Sequence, residues 1–253
     1  MQPIAIPAFS DNYIWLIHMK AGNAFICIDP GTATPVLSFM KTNQQKLAAI
    51  FLTHHHADHI GGVTDLVHAF PDCETYGVYE TRLPHLTQTL IPGKNFTYGG
   101  YHWQILNTPG HTSTHICYYE AEQGWLFCGD TLFSAGCGRV FDGTLEELFH
   151  SLNQLKNLPS ATQVFCAHEY THTNLRFAQL VEPQNQEVRR ALKQLEQQPT
   201  PCSLPSTLTH ELQINPFFRV HEPAVKAFAN QFARAQTPFE VFCILRDQKN
   251  VFK

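Results

Sequence analysis

Four histidines and an aspartate lie within six positions of one stretch, Leu52-Thr53-His54-His55-His56-Ala57-Asp58-His59-Ile60-Gly61-Gly62. The apolar run Leu47–Leu52 leads into this cluster and is typical of a short buried strand. The glycine pair and the apolar periodicity after it predict a helix over Ile60–Phe70. The cluster therefore belongs to a loop at the carboxyl end of a strand, where open α/β sheets tend to hold their ligands.

The spacing within this cluster suits metal binding. Alternate side chains of an extended segment share a side, so His54 and His56 can reach one ion while His55 points away. Asp58 and His59 follow after a bend and can serve a second ion close by. Neutral imidazole suits zinc and iron, and carboxylate is a harder ligand for the same metals. The alternative is a histidine-rich loop without a metal, or a purification tag, but a tag would lie at a terminus and would not include the aspartate.

Length and charge exclude several classes of protein. The 253 residues suffice for one large domain or two smaller ones. Lys and Arg number 17 against 21 Asp and Glu, a net charge of −4 without long runs of one sign, which argues against a nucleic-acid partner. No apolar stretch approaches the roughly 18 residues of a membrane span, and the N-terminus lacks the pattern of a signal peptide. We expect a monomeric, cytoplasmic protein with no membrane partner.

The eight cysteines also fit a protein of the cytoplasm. They include no C-x-x-C pair, and most lie in apolar runs, which indicates reduced core cysteines in a cytosolic protein. Cys137, between Gly136 and Gly138, is the one candidate for a catalytic thiol, but no partnering base is evident.

The order of elements predicts an α/β part, residues 1–171, followed by a smaller helical part, residues 172–253. Apolar runs predict strands at Ile4–Pro7, Tyr13–Met19, Ala24–Asp29, Leu47–Leu52, Glu74–Val78, Tyr101–Asn107, Thr114–Glu120, Trp125–Cys128 and Gln163–Cys166. Helical spacing and start signals predict further helices at Pro35–Thr42, after Thr144, at Asn174–Val181, Pro183–Gln197 and Pro223–Ala235, and after Thr237. Thr144 with Glu147, and Thr237 with Glu240, have the spacing of a capping box.

Three more residues of metal-ligand type each follow an apolar run. His111 follows the run that ends at Leu106, Asp130 follows Phe127-Cys128-Gly129, and His168 follows Phe165-Cys166-Ala167. Each alone is more often an ordinary polar loop residue. Together with the His54–His59 cluster they favour a joint site.

This order of motifs, H-x-H-x-D-H, then G-H-T, then G-D after a strand, then a distant histidine, resembles the metallo-β-lactamase superfamily over residues 1–170. The resemblance implies an α/β fold of the αββα type, with two mixed sheets between helices. It also implies a ligand set: His54, His56 and His111 for a first metal, Asp58, His59 and His168 for a second, and Asp130 as the bridge. We expect two divalent ions, zinc first, with iron or manganese as alternatives.

Such a centre favours hydrolysis of an acyl bond. Two cations that share a carboxylate can share a water whose pKa falls towards about 7, and they polarise a carbonyl. Asp58 can also orient the hydroxide, so Asp58 and Asp130 are the candidate catalytic residues. A thioester suits this chemistry, because a thiolate (parent pKa about 8.5) leaves without an acid to protonate it.

Motifs along the whole chain resemble the glyoxalase II (hydroxyacylglutathione hydrolase) family: Asp11-Asn12-Tyr13, Thr53–Gly62, Gly136-Cys137-Gly138-Arg139, His168-Glu169-Tyr170-Thr171, Asn215-Pro216-Phe217-Phe218-Arg219 and Arg246-x-x-Lys249. The implied reaction converts S-D-lactoylglutathione to D-lactate and glutathione, the second step of methylglyoxal detoxification. The resemblance implies that the glutathione moiety is held by Arg139, Tyr170, Arg246 and Lys249. Spacing alone shows only that Arg246 and Lys249 share a helix face, and a solvated helix end is the alternative there.

Two positions depart from this family, and other functions stay open. Arg139 stands where the family often has lysine, and Phe141 stands where some members have a tyrosine that bonds the substrate. The alternatives are another hydrolase or a persulfide dioxygenase of the superfamily, or a non-catalytic module that binds metal or glutathione. A dioxygenase is expected to lack the C-terminal helices and the second metal site, and a structural zinc site usually closes at four ligands.

Overall fold

The computed structural model describes residues 1–197 and 202–252. The chain forms two compact units. The first consists of Met1–Asn107 and Thr114–Gly129, and the second of Thr108–Ser113 and Asp130–Lys253. No helix in the described ranges is long and apolar enough to cross a membrane.

The first unit is built mainly from strands. Its strands are β1 (Ile4–Ala8), β2 (Asn12–His18), β3 (Ala24–Ile28), β4 (Lys46–Phe51), β5 (Glu74–Val78), β6 (Gln88–Leu90), β7 (Asn95–Tyr98), β8 (Tyr101–Asn107), β9 (Ile116–Glu120) and β10 (Trp125–Gly129). Its helices are α1 (Thr34–Thr42), α2 (Ala57–Ile60) and α3 (Val63–Ala69). Strands β1 to β6 form one sheet in sequence order, antiparallel from β1 to β3 and parallel from β3 to β6. Strands β7 to β10 pair antiparallel.

Aromatic side chains fill the space between these two sets of strands. Phe51 of β4 stacks on Tyr118 of β9 with ring centroids 5.0 Å apart, and its ring meets Trp103 and Phe96 edge-on at 5.4 Å. Phe51, Trp103 and Tyr118 are fully buried. Burying each such ring contributes roughly 1.5–3 kcal/mol. The parallel strand β4 is therefore fixed within the core up to its carboxyl end, where the histidine cluster begins.

The second unit is mostly helical. Its strands are β11 (Leu132–Phe133), β12 (Gly136–Cys137), β13 (Gln163–Cys166) and β14 (Ser206–Thr207). Its helices are α4 (Leu145–Lys156), α5 (Thr171–Val181), α6 (Gln186–Glu196), α7 (Leu208–Ile214), α8 (Pro223–Ala229) and α9 (Pro238–Val251). Both predicted capping boxes are confirmed at the starts of α4 and α9. Strands β11 and β12 form a short antiparallel hairpin.

Four predicted helices have the wrong bounds. The helix expected over Ile60–Phe70 is two helices, broken at Gly61-Gly62. A Cβ at residue 61 would lie 2.5 Å from the Gly31 carbonyl oxygen, and one at residue 62 would lie 2.4 Å from the Thr32 carbonyl carbon. The backbone of this glycine pair therefore packs directly against the backbone of residues 31 and 32, and the helix is interrupted there.

The other three differ at one end. The helix expected from Asn174 begins at Thr171. The helix expected from Pro183 begins at Gln186, because the Asn185 side chain accepts from the backbone N–H groups of Glu187 and Val188 and caps it. The helix expected over Pro223–Ala235 ends at Ala229. Strands β6, β7, β11, β12 and β14 and helix α7 have no counterpart in the sequence prediction.

Candidate metal centre

The predicted ligands fall into two sets, one in each unit. The first donor set is His54, His56, Asp58 and His59, on the loop after β4 and on α2. His54 Nε2 lies 3.1 Å from His56 Nδ1. Two nitrogens bound at about 2.0–2.1 Å to a tetrahedral ion lie ~3.4 Å apart, so this pair has nearly the spacing of two ligands of one metal. The His54 ring is buried and stacks on the buried His115 ring with centroids 4.8 Å apart.

A buried carboxylate, Asp29, orients two imidazoles of this set. Asp29 accepts from the Thr53 backbone N–H (2.8 Å) and hydroxyl (2.6 Å). Since the hydroxyl donates to Asp29, the Nδ1–H of His54 donates to the Thr53 oxygen at 3.0 Å. His59 Nδ1 donates directly to Asp29 at 3.0 Å. In both rings the lone pair is then on Nε2 and available to a metal ion, while the Nδ1–H is held by a protein acceptor.

Asp29 itself lies close enough to be considered a ligand. One donor atom each from Asp29, His54 and His59 lie within 4.8 Å of one another. The Asp29 oxygens, however, already accept three hydrogen bonds from Thr53 and His59. We therefore assign Asp29 to orienting the ligands.

Asp58 is a half-exposed member of the first donor set. Its side chain is 42 % exposed, and its Oδ2 accepts from the Asn12 amide at 3.0 Å and lies 3.6 Å from His59 Nε2. His55 faces elsewhere: its Nε2 lies 2.7 Å from an Arg82 nitrogen. Arg82 also donates to Glu80 and lowers the pKa of that carboxyl to about 2.

Replacing Asp29 with asparagine is expected to weaken metal binding about 10- to 100-fold, the usual effect of losing a partner of a metal-bound histidine. The amide keeps the shape but turns an N–H donor towards groups that need an acceptor. Chelator competition measures the affinity. Asp72→Asn, an exposed aspartate after α3, is the matched control. Equal affinities for the two variants would show that Asp29 does not orient the ligands.

The second donor set is His111, Asp130 and His168, in the second unit. Asp130 directly follows β10, and His168 follows β13. Asp130 Oδ2 lies 3.5 Å from His111 Nε2, and Oδ1 lies 3.4 Å from His168 Nε2. Each carboxylate oxygen thus faces a different imidazole at a distance longer than the usual 2.9–3.0 Å hydrogen bond. This arrangement suits a carboxylate that serves two cations.

A backbone carbonyl orients His111. The His111 Nδ1–H donates to the Arg139 carbonyl at 2.7 Å, which places the lone pair on Nε2, towards Asp130. The donor chemistry therefore fits metal ions in both sets: three imidazoles, His54, His59 and His111, present Nε2 because Nδ1 is engaged by a protein acceptor.

The predicted substrate contacts lie in the second unit with different exposures. Arg139 is exposed, and Phe141 is 65 % exposed with its ring 5.1 Å from that of His111. Tyr170 is 37 % exposed and stacks on His168 with centroids 4.8 Å apart. These three residues present surface that a ligand can reach.

The two cations of α9 differ from each other. Lys249 Nζ lies 5.7 Å from the Phe177 ring centre and 5.4 Å from that of Phe252. Burial, then the charges of Arg246 and Arg139, lower the Lys249 pKa to about 8. Arg246 is 3 % exposed and donates to the carbonyls of Cys137 (2.8 Å) and Gly138 (3.3 Å). The alternative of a solvated helix end is therefore wrong for Arg246. Its guanidinium instead holds the backbone at residues 137 and 138.

Cys137 lacks the features of a catalytic thiol. It is 5 % exposed, and burial raises the pKa of its thiol although the Arg246 charge opposes the shift. A reactive cysteine needs a lowered pKa and access to solvent. The carboxylate and imidazole groups are the better candidates for the chemistry.

Asp29 and Thr53 are site residues that sequence reasoning does not identify. The sequence indicates only that Asp29 ends a predicted strand and begins a turn. It follows the apolar strand β3 directly, just as the predicted ligands follow their apolar runs. A polar residue at a strand end is therefore the signal that could have identified it.

Comparison with known proteins identifies the family. A family model described as the metallo-beta-lactamase superfamily matches residues 9–168, and one described as the hydroxyacylglutathione hydrolase C-terminus matches residues 169–252. A curated hydroxyacylglutathione hydrolase of Legionella pneumophila (strain Lens) is 52 % identical over 100 % of both chains.

Solved structures agree on the fold. ETHE1 from Myxococcus xanthus superimposes with a TM-score of 0.68 at 22 % identity, covering 98 % of this chain and 91 % of that one. TTHA1623 in a di-iron-bound form gives a TM-score of 0.61 at 25 % identity, covering 86 % of this chain and 100 % of that one. The predicted α/β metallo-β-lactamase fold with a helical C-terminal region is confirmed, and so is the predicted enzyme class. The chain belongs to the hydroxyacylglutathione hydrolase family of the metallo-β-lactamase superfamily.

Proposed function

We propose that this protein hydrolyses the thioester of S-(2-hydroxyacyl)glutathione, with S-D-lactoylglutathione as the main substrate, to the 2-hydroxy acid and glutathione. The observation that carries the proposal is Asp130, whose two carboxylate oxygens face two different imidazoles. It stands in a chain that matches a hydroxyacylglutathione hydrolase from end to end. This reaction would be the second step of methylglyoxal detoxification.

The proposed cofactor is a pair of divalent metal ions. We assign His54, His56 and His111 to one ion, Asp58, His59 and His168 to the other, and Asp130 to both. The Nε2 lone pairs of His54, His59 and His111 support this assignment. Zinc is proposed first, with iron or manganese as alternatives; the similar protein TTHA1623 was solved with two irons. Such ions, when bound, lower the pKa of water towards about 7 and polarise an acyl carbonyl.

The chain's own residues would then orient the reactants. Asp58 is half-exposed and fixed by the Asn12 amide, so its carboxylate can accept a hydrogen bond from an attacking water and hold its direction. Asp130 is buried and held between two imidazoles, so its position is fixed before the substrate arrives. The glutathione thiolate leaves without protonation because its parent pKa is about 8.5.

The proposed glutathione contacts are Arg139, Tyr170 and Lys249, and Arg246 would support them through the Cys137 and Gly138 carbonyls that it binds. The exposed guanidinium of Arg139 and the half-buried ammonium of Lys249 suit the glycine carboxylate. Tyr170 offers a hydroxyl on a ring that stacks on His168. Phe141 offers ring contact but no hydroxyl.

The enzyme assay that tests the proposal follows loss of thioester absorbance from S-D-lactoylglutathione, with and without a chelator. The expected result is hydrolysis that stops on metal removal and returns when zinc is restored. Binding of the thioester without turnover by the fully metal-loaded protein would favour the non-catalytic module. Oxygen consumption with glutathione persulfide would favour the dioxygenase.

Replacing Lys249 with alanine is expected to raise KM about 10-fold with little change in kcat, because a charge on a remote part of the substrate contributes uniform binding. Only the charged ammonium attracts a carboxylate, and the Lys249 pKa is about 8. KM of the unmodified enzyme should therefore rise as the pH passes about 8, and this rise should be absent in the variant.

Steady-state kinetics between pH 6.5 and 9.5 checks the Lys249 prediction. Lys226→Ala, an exposed lysine on α8, serves as the matched control and should keep both KM and its pH dependence. An unchanged KM in the Lys249 variant would remove Lys249 from the proposed substrate site.

Organisation and location are proposed on separate grounds. We propose a catalytic domain, residues 1–171, and a substrate-binding domain, residues 172–253, supported by family matches that change at residues 168 and 169. All eight cysteines lie in the described part of the chain and carry reduced thiols, which supports the cytoplasm as the location. We propose a monomer.

A further inference from the structure

The hairpin of residues 131–139, formed by β11 and β12, joins Asp130 to Arg139. We call it the Asp130 hairpin. The Gly138 N–H donates to the Thr131 carbonyl at 3.3 Å and closes it. One end carries Asp130, and the Arg139 carbonyl at the other end accepts from His111. The position of the hairpin therefore sets two members of the second donor set.

The turn of the Asp130 hairpin is held by a buried carboxylate. Glu211 of α7, 0 % exposed, accepts from the Ser134 hydroxyl (3.0 Å) and the Ala135 N–H (2.8 Å). Ala135 has a φ of +55°, a left-handed conformation that costs a non-glycine residue roughly 1–2 kcal/mol. Such a conformation persists only where the surroundings enforce it. Glu211 provides that constraint, because its carboxylate accepts a hydrogen bond from the Ala135 backbone N–H.

The carbonyls of the Asp130 hairpin are held by two buried amides. Asn174 of α5 donates to the Ser134 carbonyl at 2.9 Å. Asn215, which follows α7, donates to the Gly136 carbonyl at 3.0 Å and the Phe133 carbonyl at 3.3 Å. Asn174 and Asn215 are 4 % and 0 % exposed.

These contacts fix the position of the hairpin backbone. Apolar side chains in place of the two amides and the carboxylate would leave buried backbone N–H and C=O groups of the hairpin without a hydrogen-bond partner. The amides and the carboxylate meet backbone atoms on both strands and in the turn of one hairpin. A buried network of this kind specifies one arrangement among those that hydrophobic packing permits.

We propose that Asn174, Glu211 and Asn215 are positioning residues for the metal centre. They hold the Asp130 hairpin so that Asp130 and His111 present their donors at the spacing observed. The proposal rests on the proposed function, and it gives a role to the first residue of the Asn215-Pro216-Phe217-Phe218-Arg219 motif.

The test compares Asn215→Ala and Asn174→Ala with a matched control, Asn185→Ala. Asn185 lies in the same unit and donates to the Gln213 carbonyl at 2.9 Å, but the hydrogen-bond partners of its side chain are Glu182 and residues of α6 and α7, not the Asp130 hairpin. Zinc affinity is measured by chelator competition, and the visible absorption of the cobalt-substituted protein reports ligand geometry. Thermal unfolding reports stability for all three.

Both hairpin variants are expected to bind zinc about 10- to 100-fold more weakly and to show an altered cobalt spectrum. The control should unfold at a lower temperature but keep the affinity and spectrum of the unmodified protein. If Asn215→Ala does not fold, Asn174→Ala, which loses one hydrogen bond to the hairpin, decides the question.

Two results would overturn the inference, and they differ. Hairpin variants that lose stability as the control does, yet keep zinc affinity and the cobalt spectrum, would show a purely structural role and leave the proposed function intact. An unmodified protein that binds neither zinc nor cobalt would overturn the inference and the proposed function together.

Discussion

Replacing Asp130 with alanine is expected to reduce thioester hydrolysis at least ~10³-fold and to lower the metal content of the protein. The reason is geometric: its two oxygens face His111 and His168 at 3.5 and 3.4 Å, so one substitution removes a donor beside each imidazole. His54→Ala should have a similar effect, because the His54 nitrogen lies 3.1 Å from that of His56. Turnover of S-D-lactoylglutathione and metal analysis measure both effects.

The control for Asp130 is Asp65→Ala, since Asp65 is an exposed carboxylate on α3. It should keep both turnover and metal content. An Asp130→Ala protein with the full metal content and more than about a tenth of the activity would contradict the bridging assignment, because tenfold corresponds to only about 1.4 kcal/mol.

Replacing Gly138 with alanine is expected to disturb the metal centre without removing any ligand. A Cβ at residue 138 would lie 2.0 Å from the Asp130 carbonyl oxygen and 3.1 Å from His111 Nδ1. Neither neighbour is the flexible end of a side chain, so the Asp130 hairpin must shift. We expect a loss of about 2 kcal/mol in the free energy of unfolding, in the range for overpacking, and a fall of roughly 100-fold in kcat/KM.

Denaturant unfolding and kinetics on the metal-loaded protein check the Gly138 prediction. Gly93→Ala is the matched control, because residue 93 has a φ of +81° and no atom within 4 Å of a built Cβ. It should cost about 1 kcal/mol of stability from backbone strain and leave kcat/KM unchanged. Equal kinetics for the two variants would show that the site tolerates movement of the hairpin.

The parts of this fold that the sequence predicts are those with a local signal. Buried strands such as β4 are continuous apolar runs, and the capping residues Thr144 and Thr237 start helices through contacts within four residues. The missed strands β6 and β7 are short and partly exposed, so they lack an apolar run.

The residues of the candidate site also divide into those with a local sequence signal and those without one. The metal-ligand residues could be named because each follows a strand. The orienting groups could not, because their partners are distant in sequence: Asp29 meets residues 24 to 30 positions away, and Arg246 meets a carbonyl 109 positions away. The break at Gly61-Gly62 has the same origin, since it depends on contact with Gly31 and Thr32.

The Asp29 carboxylate restricts how this enzyme can vary. It accepts hydrogen bonds from the Thr53 backbone N–H, the Thr53 hydroxyl and the His59 imidazole. A descendant that lost it would need new acceptors for all three at once, and no single further substitution supplies them. Attempts to redesign the metal preference should therefore leave residue 29 unchanged, because its three hydrogen bonds are all buried.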